Sequence, residues 1–140
     1  MNQLRAIGVG VIGAGWLGDV HARAWGRLRH HYPDLDVAPV FAAVADSVQG
    51  ARDAAVRRHG FAATHADWRD LLADPAVDVV SVTAPNAVHR EIGVAVANAG
   101  KHLWIEKPVG LSADDARAVA DAVAAAGVRA TVGFNYRAVP

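Results

Sequence analysis

Residues Ala6-Ile7-Gly8-Val9-Gly10-Val11-Ile12-Gly13-Ala14-Gly15-Trp16-Leu17-Gly18 decide how this chain is read. An apolar run suited to a strand enters a glycine-rich turn, and Asp19-Val20-His21-Ala22-Arg23-Ala24-Trp25 continues as a helical pattern. Strand, glycine turn and helix in that order make a site for the pyrophosphate of a dinucleotide. Gly13 permits the tight turn, Gly15 lets backbone come close to phosphate, and Gly18 lets helix and strand pack closely. Free N–H groups opening the helix then face the anion, so Ala14, Trp16 and Leu17 belong to the same cofactor-binding turn. A glycine turn alone is weak evidence, because ordinary tight turns contain glycine too. The strand before it and the helix after it supply the context the motif needs.

Outward from this turn, short apolar runs alternate with helical patterns, which predicts βαβ units and a parallel sheet. Strands are expected near residues 5–12, 37–45, 62–64, 77–83, 102–106 and 129–133. Val77-Asp78-Val79-Val80-Ser81-Val82-Thr83 is rich in β-branched residues, as a strand buried on both faces should be. Helices are expected near 16–30, 48–59 and 67–73, from Asn86 to Gly100, and from an Ser112 N-cap to Gly127. The fold class is therefore α/β: one dinucleotide-binding domain over residues 1–140, doubly wound, with a mostly parallel sheet of about six strands and helices on both faces.

Bulk properties exclude several functions. An apolar content of 53% and a charged content of 20% mark a globular chain rather than a disordered one. The formal net charge is zero, so no global field favours nucleic acid or an anionic membrane. Cysteine is absent, which removes disulfides, thiolate catalysis and cysteine metal sites, and fits a reducing, cytoplasmic setting. The seven histidines form no ligand-spaced helix pair with a partner acid, so no metal site is expected. The uncharged stretch Ala6–Gly18 is too short to span a bilayer, and its glycines have a better use in a fold than in a secretion signal.

Four further positions carry chemistry. Asp46 ends the apolar run Val40-Phe41-Ala42-Ala43-Val44-Ala45, where an acid accepts hydrogen bonds from both ribose hydroxyls of an adenosine. It would repel a 2′-phosphate, so NAD is the preferred cofactor and NADP a possible one; Ser47 beside it joins the same site. A solvated acid is the bland alternative, and Arg52 is a potential partner for a phosphate. Thr83-Ala84-Pro85-Asn86 lies at the end of the fourth strand, where ligands collect in such sheets. Asn86 also suits a helix cap and Pro85 a turn. His89, one turn on, is read as a surface histidine rather than a proton carrier.

Glu106-Lys107-Pro108 is the sharper signal. The chain has two lysines against twelve arginines, and two glutamates against twelve aspartates. A sequence that uses arginine and aspartate wherever a generic charge suffices has adjacent Glu106 and Lys107 at a strand mouth. Lysine is a compact ammonium suited to binding or deprotonating an alcohol. Two solvated charges ending a strand remain the alternative.

With these residues in hand, the chain resembles the N-terminal domain of the glucose–fructose oxidoreductase/inositol dehydrogenase/MocA family. The resemblance rests on Gly13-Ala14-Gly15-Trp16-Leu17-Gly18, Asp46, Thr83-Ala84-Pro85-Asn86 with His89, Glu106-Lys107-Pro108, and Gly133-Phe134-Asn135-Tyr136-Arg137. It implies a nicotinamide-dependent oxidoreductase acting on a hydroxyl carbon of a sugar, cyclitol or related compound. Lys107 would match the catalytic lysine that meets the reacting hydroxyl and nicotinamide ribose. Glu106 would match the acid that helps hold the nicotinamide side, and the bond into Pro108 is often cis. The resemblance also implies a C-terminal substrate domain, often carrying the oligomer interface, that these residues do not include. A fragment and a stand-alone relic both fit that expectation. A non-catalytic NAD(H) sensor is the competing function, since it needs the glycine turn and Asp46 but not Lys107. A nucleoside-cofactor methyltransferase fits less well, because of Gly18 and the Glu-Lys-Pro element.

Overall fold

Strands and helices alternate through the computed structural model, which describes residues 4–139. The order is β1 (Arg5–Ile12), α1 (Trp16–His31), β2 (Val37–Ala45), α2 (Gln49–His59), β3 (Ala63–His65), α3 (Trp68–Ala73), β4 (Val79–Val82), α4 (His89–Asn98), β5 (His102–Ile105), α5 (Ala113–Ala126) and β6 (Ala130–Val132). Every strand pairing is parallel, and the sheet runs β3-β2-β1-β4-β5-β6. The chain winds outward from β1 to β3, then restarts at β4 on the other side of β1. That reversal opens a crevice beyond the carboxyl ends of β1 and β4, the usual ligand position in such sheets. The doubly wound architecture expected from the sequence is the one observed.

Two apolar layers hold the sheet between helices. Val9, Val11, Val44 and Val79 pack with Ala22 of α1 and with Phe61 beyond α2. On the other face Ala43, Val80, Val82, Leu103 and Ile105 meet Leu71 of α3, Ile92 and Val96 of α4, and Val119 of α5. Adjacent strand residues such as Val79 and Val80 thus serve opposite layers, which is why β4 is apolar almost throughout. Each buried valine, leucine, isoleucine or phenylalanine among them contributes about 1.5–3 kcal/mol by leaving water.

Helix ends follow the cap chemistry. Asp67 accepts the Arg69 N–H and Ser112 accepts the Asp115 N–H, while Gly127 closes α5 in a left-handed conformation. The region around β4 departs from expectation. The strand begins at Val79 rather than residue 77, because the Val77 carbonyl accepts a hydrogen bond from Lys101 Nζ at 2.7 Å instead of joining the ladder. No side chain caps the start of the fourth helical segment, so Asn86 is not the cap anticipated. It opens a 3₁₀ turn, Asn86–Val88, and α4 proper begins at His89.

Candidate functional site

The turn between β1 and α1 has the geometry its glycines require. Gly13 has φ +97, the left-handed region in which a side chain is strained. At Gly18 a methyl group would overlap the Gly13 carbonyl oxygen, so helix and turn touch backbone to backbone. Gly15, by contrast, has no atom within 4 Å of the place its Cβ would take. That open side is where a phosphate needs access. Gly15 is also the N-cap of α1, and no side chain caps it. The first helical bond runs from Asp19 N–H to Gly15 O at 3.0 Å, which leaves the amides of Trp16, Leu17 and Gly18 for an anion. The donors present fit a dinucleotide pyrophosphate. Trp16 itself is 79% exposed at the mouth of the turn.

Asp46 meets the same turn from β2. One carboxylate oxygen accepts the Ala14 N–H at 2.8 Å and the other accepts the Val48 N–H at 2.9 Å. Both bonds fix the carboxylate while each oxygen keeps a lone pair for a ribose hydroxyl. Arg52 donates to the Asp46 main-chain carbonyl at 2.5 Å, so its guanidinium sits at the rim of this subsite. Thr83 bonds the turn rather than the crevice: its hydroxyl reaches the carbonyls of Gly13 at 2.7 Å and Ile12 at 3.1 Å. Between these elements lies a cavity of about 320 Å³ lined by Gly13, Asp46, Ser47, Trp68, Ala84 and Pro85. Asn86 is exposed just beyond it. Trp68 was missed by sequence reasoning; an indole directly after the Asp67 cap is the signal that was there to be used. Removing the Asp46 side chain deletes charged hydrogen bonds of about 1.5–3 kcal/mol. Asp46→Ala is therefore expected to weaken NADH binding about 10- to 150-fold by calorimetry.

The carboxyl end of β5 supplies the second half. Lys107 is exposed, beside a hollow of about 430 Å³ that it shares with Pro108, Val109, Ser112 and Phe134, and the Lys107–Pro108 bond is cis. Glu106 is only 9% exposed. Its carboxylate turns toward α1, where His21 Nε2 meets one oxygen at 2.9 Å, and the other oxygen accepts the Lys107 N–H at 3.3 Å. His89 is 1% exposed, which corrects the expectation of a surface histidine. Its Nδ1 lies 2.6 Å from the Pro108 carbonyl and its Nε2 lies 2.8 Å from the Ala84 carbonyl. Both partners are acceptors, so the ring donates whichever nitrogen carries the proton.

Burial holds the His21 pKa below the ordinary value of 6.5, although the bond to Glu106 pulls the other way. The unfolded chain therefore takes up a proton near pH 6.5 that the folded chain still refuses. Stability from this group is full above pH 6.5 and is lost as the pH falls below it. The loss is at most about 1.4 kcal/mol per pH unit. Thermal melts between pH 7.5 and 5 should show Tm falling over the acid half, and His21→Gln should flatten that slope.

Among the described residues no group of three or more metal-ligating side chains comes together, and no helix is long and apolar enough to cross a membrane.

A family model described as an oxidoreductase family with an NAD-binding Rossmann fold matches residues 7–134. The chain belongs to that family. This NAD-binding domain is 34% identical over 137 residues to levoglucosan dehydrogenase of Pseudarthrobacter phenanthrenivorans, a match covering 98% of this chain and 35% of that protein. It is 35% identical over 130 residues to inositol 2-dehydrogenase of Salmonella typhimurium, covering 91% and 37% respectively. Its backbone superimposes on an NAD-binding oxidoreductase from Klebsiella pneumoniae with a TM-score of 0.90 at 38% identity, covering 96% of this chain and 36% of that one. On levoglucosan dehydrogenase in complex with NADH the TM-score is 0.89 at 34% identity, covering 95% and 36%. The NAD-binding domain thus spans a little over a third of the length of each of these proteins.

Proposed function

We propose that this domain is the cofactor half of an enzyme that moves hydride between NAD and a hydroxyl-bearing carbon of a sugar or cyclitol. One observation carries the reading: exposed Lys107 stands at the carboxyl end of the same sheet whose glycine turn is hydrogen-bonded to Asp46, the pair that would form the dinucleotide subsite. The relatives named for levoglucosan and inositol support the substrate class. NAD, when bound, supplies a nicotinamide carbon that accepts or releases the hydride. The amides of Trp16, Leu17 and Gly18 hold the pyrophosphate, and Asp46 holds the adenosine ribose. Lys107 donates a hydrogen bond to the substrate hydroxyl and orients it. The main acceptor of the hydroxyl proton comes from outside these 140 residues, so the isolated chain is expected to bind cofactor without turning sugar over.

Titration calorimetry tests the binding half, with NADH expected to bind at least about tenfold tighter than NADPH because Asp46 repels a 2′-phosphate. Absence of heat with either nucleotide overturns the proposal. Sugar oxidation by the 140-residue chain alone would overturn the assignment of the proton acceptor.

A further inference from the structure

The Glu106–Lys107–Pro108 turn is gripped from both sides by buried rings. His21 comes from α1, is 2% exposed, and reaches across 85 positions of sequence to the Glu106 carboxylate at 2.9 Å. Its imidazole lies on the Trp104 ring, centroids 3.9 Å apart and planes 27° from parallel. Trp25 meets Trp104 edge-on at 5.8 Å and donates its indole N–H to Ser81 at 3.0 Å, so the stack is itself anchored in the sheet. A Cβ at residue 133 would overlap Glu106 Oε1, the oxygen that meets His21, so Gly133 leaves room for the carboxylate. The Glu106 main chain stays in the ladder, its N–H bonded to Val82 O at 3.1 Å. The carboxylate therefore lies between His21 and the Lys107 N–H.

We propose that His21 is a positioning residue, which holds the Glu106 carboxylate under the Lys107 amide and so fixes the direction in which Lys107 leaves the sheet. This rests on the function proposed above for Lys107, and it assigns Glu106 a supporting part rather than a contact with nicotinamide. The arrangement joins the helix that would bind pyrophosphate to the strand end that would meet substrate, so the two halves of the site are set relative to each other by one short hydrogen bond. His89 lies beyond the cis bond, between the Pro108 carbonyl and the Ala84 carbonyl that follows β4, and donates to one of the two. Burial disfavours the imidazolium, and a ring with one proton places it on Nε2 to meet the carboxylate. Among the described residues, His21 Nδ1 has no hydrogen-bond partner. A buried nitrogen left bare is a cost that packing alone does not require, since leucine or methionine fills the same space.

Amide hydrogen exchange on the 140-residue chain reads the arrangement without cofactor or substrate. His21→Leu is expected to speed exchange of the Lys107 amide at least tenfold while Val80 and Val82 amides in β4 keep their protection. His21→Gln, which restores a donor, should bring Lys107 back to within about threefold of the parent. Glu106→Gln, which keeps the shape but loses one acceptor, should reproduce the loss. If His21→Leu fails to fold, the Glu106→Gln and His21→Gln pair decides. In the catalytically active protein, His21→Leu should lower kcat with the KM for NAD within threefold. Unchanged Lys107 exchange in both His21→Leu and Glu106→Gln overturns the proposal, and so does equal loosening of Val80 and Lys107. Failure of NADH to bind the parent chain would instead sink the reading of the domain while leaving the exchange result standing.

Discussion

NADH affinity is expected to fall about a thousand-fold, with marked loss of stability, when Gly18 is replaced by alanine. The added methyl has no free direction, because it would overlap the Gly13 carbonyl oxygen and lie 3.3 Å from the Thr83 hydroxyl. The carbonyl belongs to main chain held by the Thr83 hydroxyl and by the Gly13 N–H bond to Ala45 O at 2.9 Å. Relief therefore means moving α1 away from the turn, which withdraws the amides of Trp16, Leu17 and Gly18 from the anion position together. A displacement that costs about 4 kcal/mol corresponds to three decades in Kd. Gly15→Ala makes the contrast: its methyl meets no atom of the protein, so the fold should persist while cofactor binding drops. Calorimetry and thermal melts on both variants check the pair. An unchanged Tm for Gly18→Ala would show that the turn is looser than drawn.

That difference between two glycines three residues apart was legible in the motif, and so was most of the architecture. The unbroken apolar runs of β1, β2 and β4 follow from burial on both faces, a local pattern that a short window of the sequence displays. Asp46 was equally readable, because strand ends in a parallel sheet all point to one edge. The supports were not. His21 and Glu106 are separated by 85 positions, and nothing near either residue announces the other. His89 looked like one more polar helix residue until the Pro108 carbonyl closed over it. Scarcity alone does not set Glu106 and Lys107 apart. Lys101, the other lysine, is buried and donates to the carbonyls of Asp74 and Val77, a structural use of a compact ammonium. Glu91, the other glutamate, forms an exposed ion pair with Arg69 at 2.6 Å, the generic use that scarcity was supposed to exclude. Rarity in composition coincides with burial for Lys101 and Glu106, and it does not distinguish structural from chemical need.

Lys107→Ala separates those needs. Among the described residues the Lys107 ammonium takes part in no ion pair or side-chain hydrogen bond, so the fold owes it nothing beyond the backbone, and Tm should stay within about 2 °C. NADH affinity should stay within about threefold, because pyrophosphate amides and Asp46 carry the binding. Turnover of sugar or cyclitol by the catalytically active protein should drop about 10²- to 10⁴-fold, the range for losing a group that handles a reacting proton or hydroxyl. Lys107→Arg should rescue little of it, since the planar guanidinium replaces a compact ammonium with a wider, permanently charged group. Lys101→Ala should behave in the opposite way, removing the donor to the buried Val77 carbonyl and lowering stability by about 1–3 kcal/mol while touching no reacting atom. A Lys107 variant with full turnover would take Lys107 out of the reaction, whereas a parent protein that binds NADH and turns over no sugar or cyclitol would make the non-catalytic NAD(H) sensor the better account.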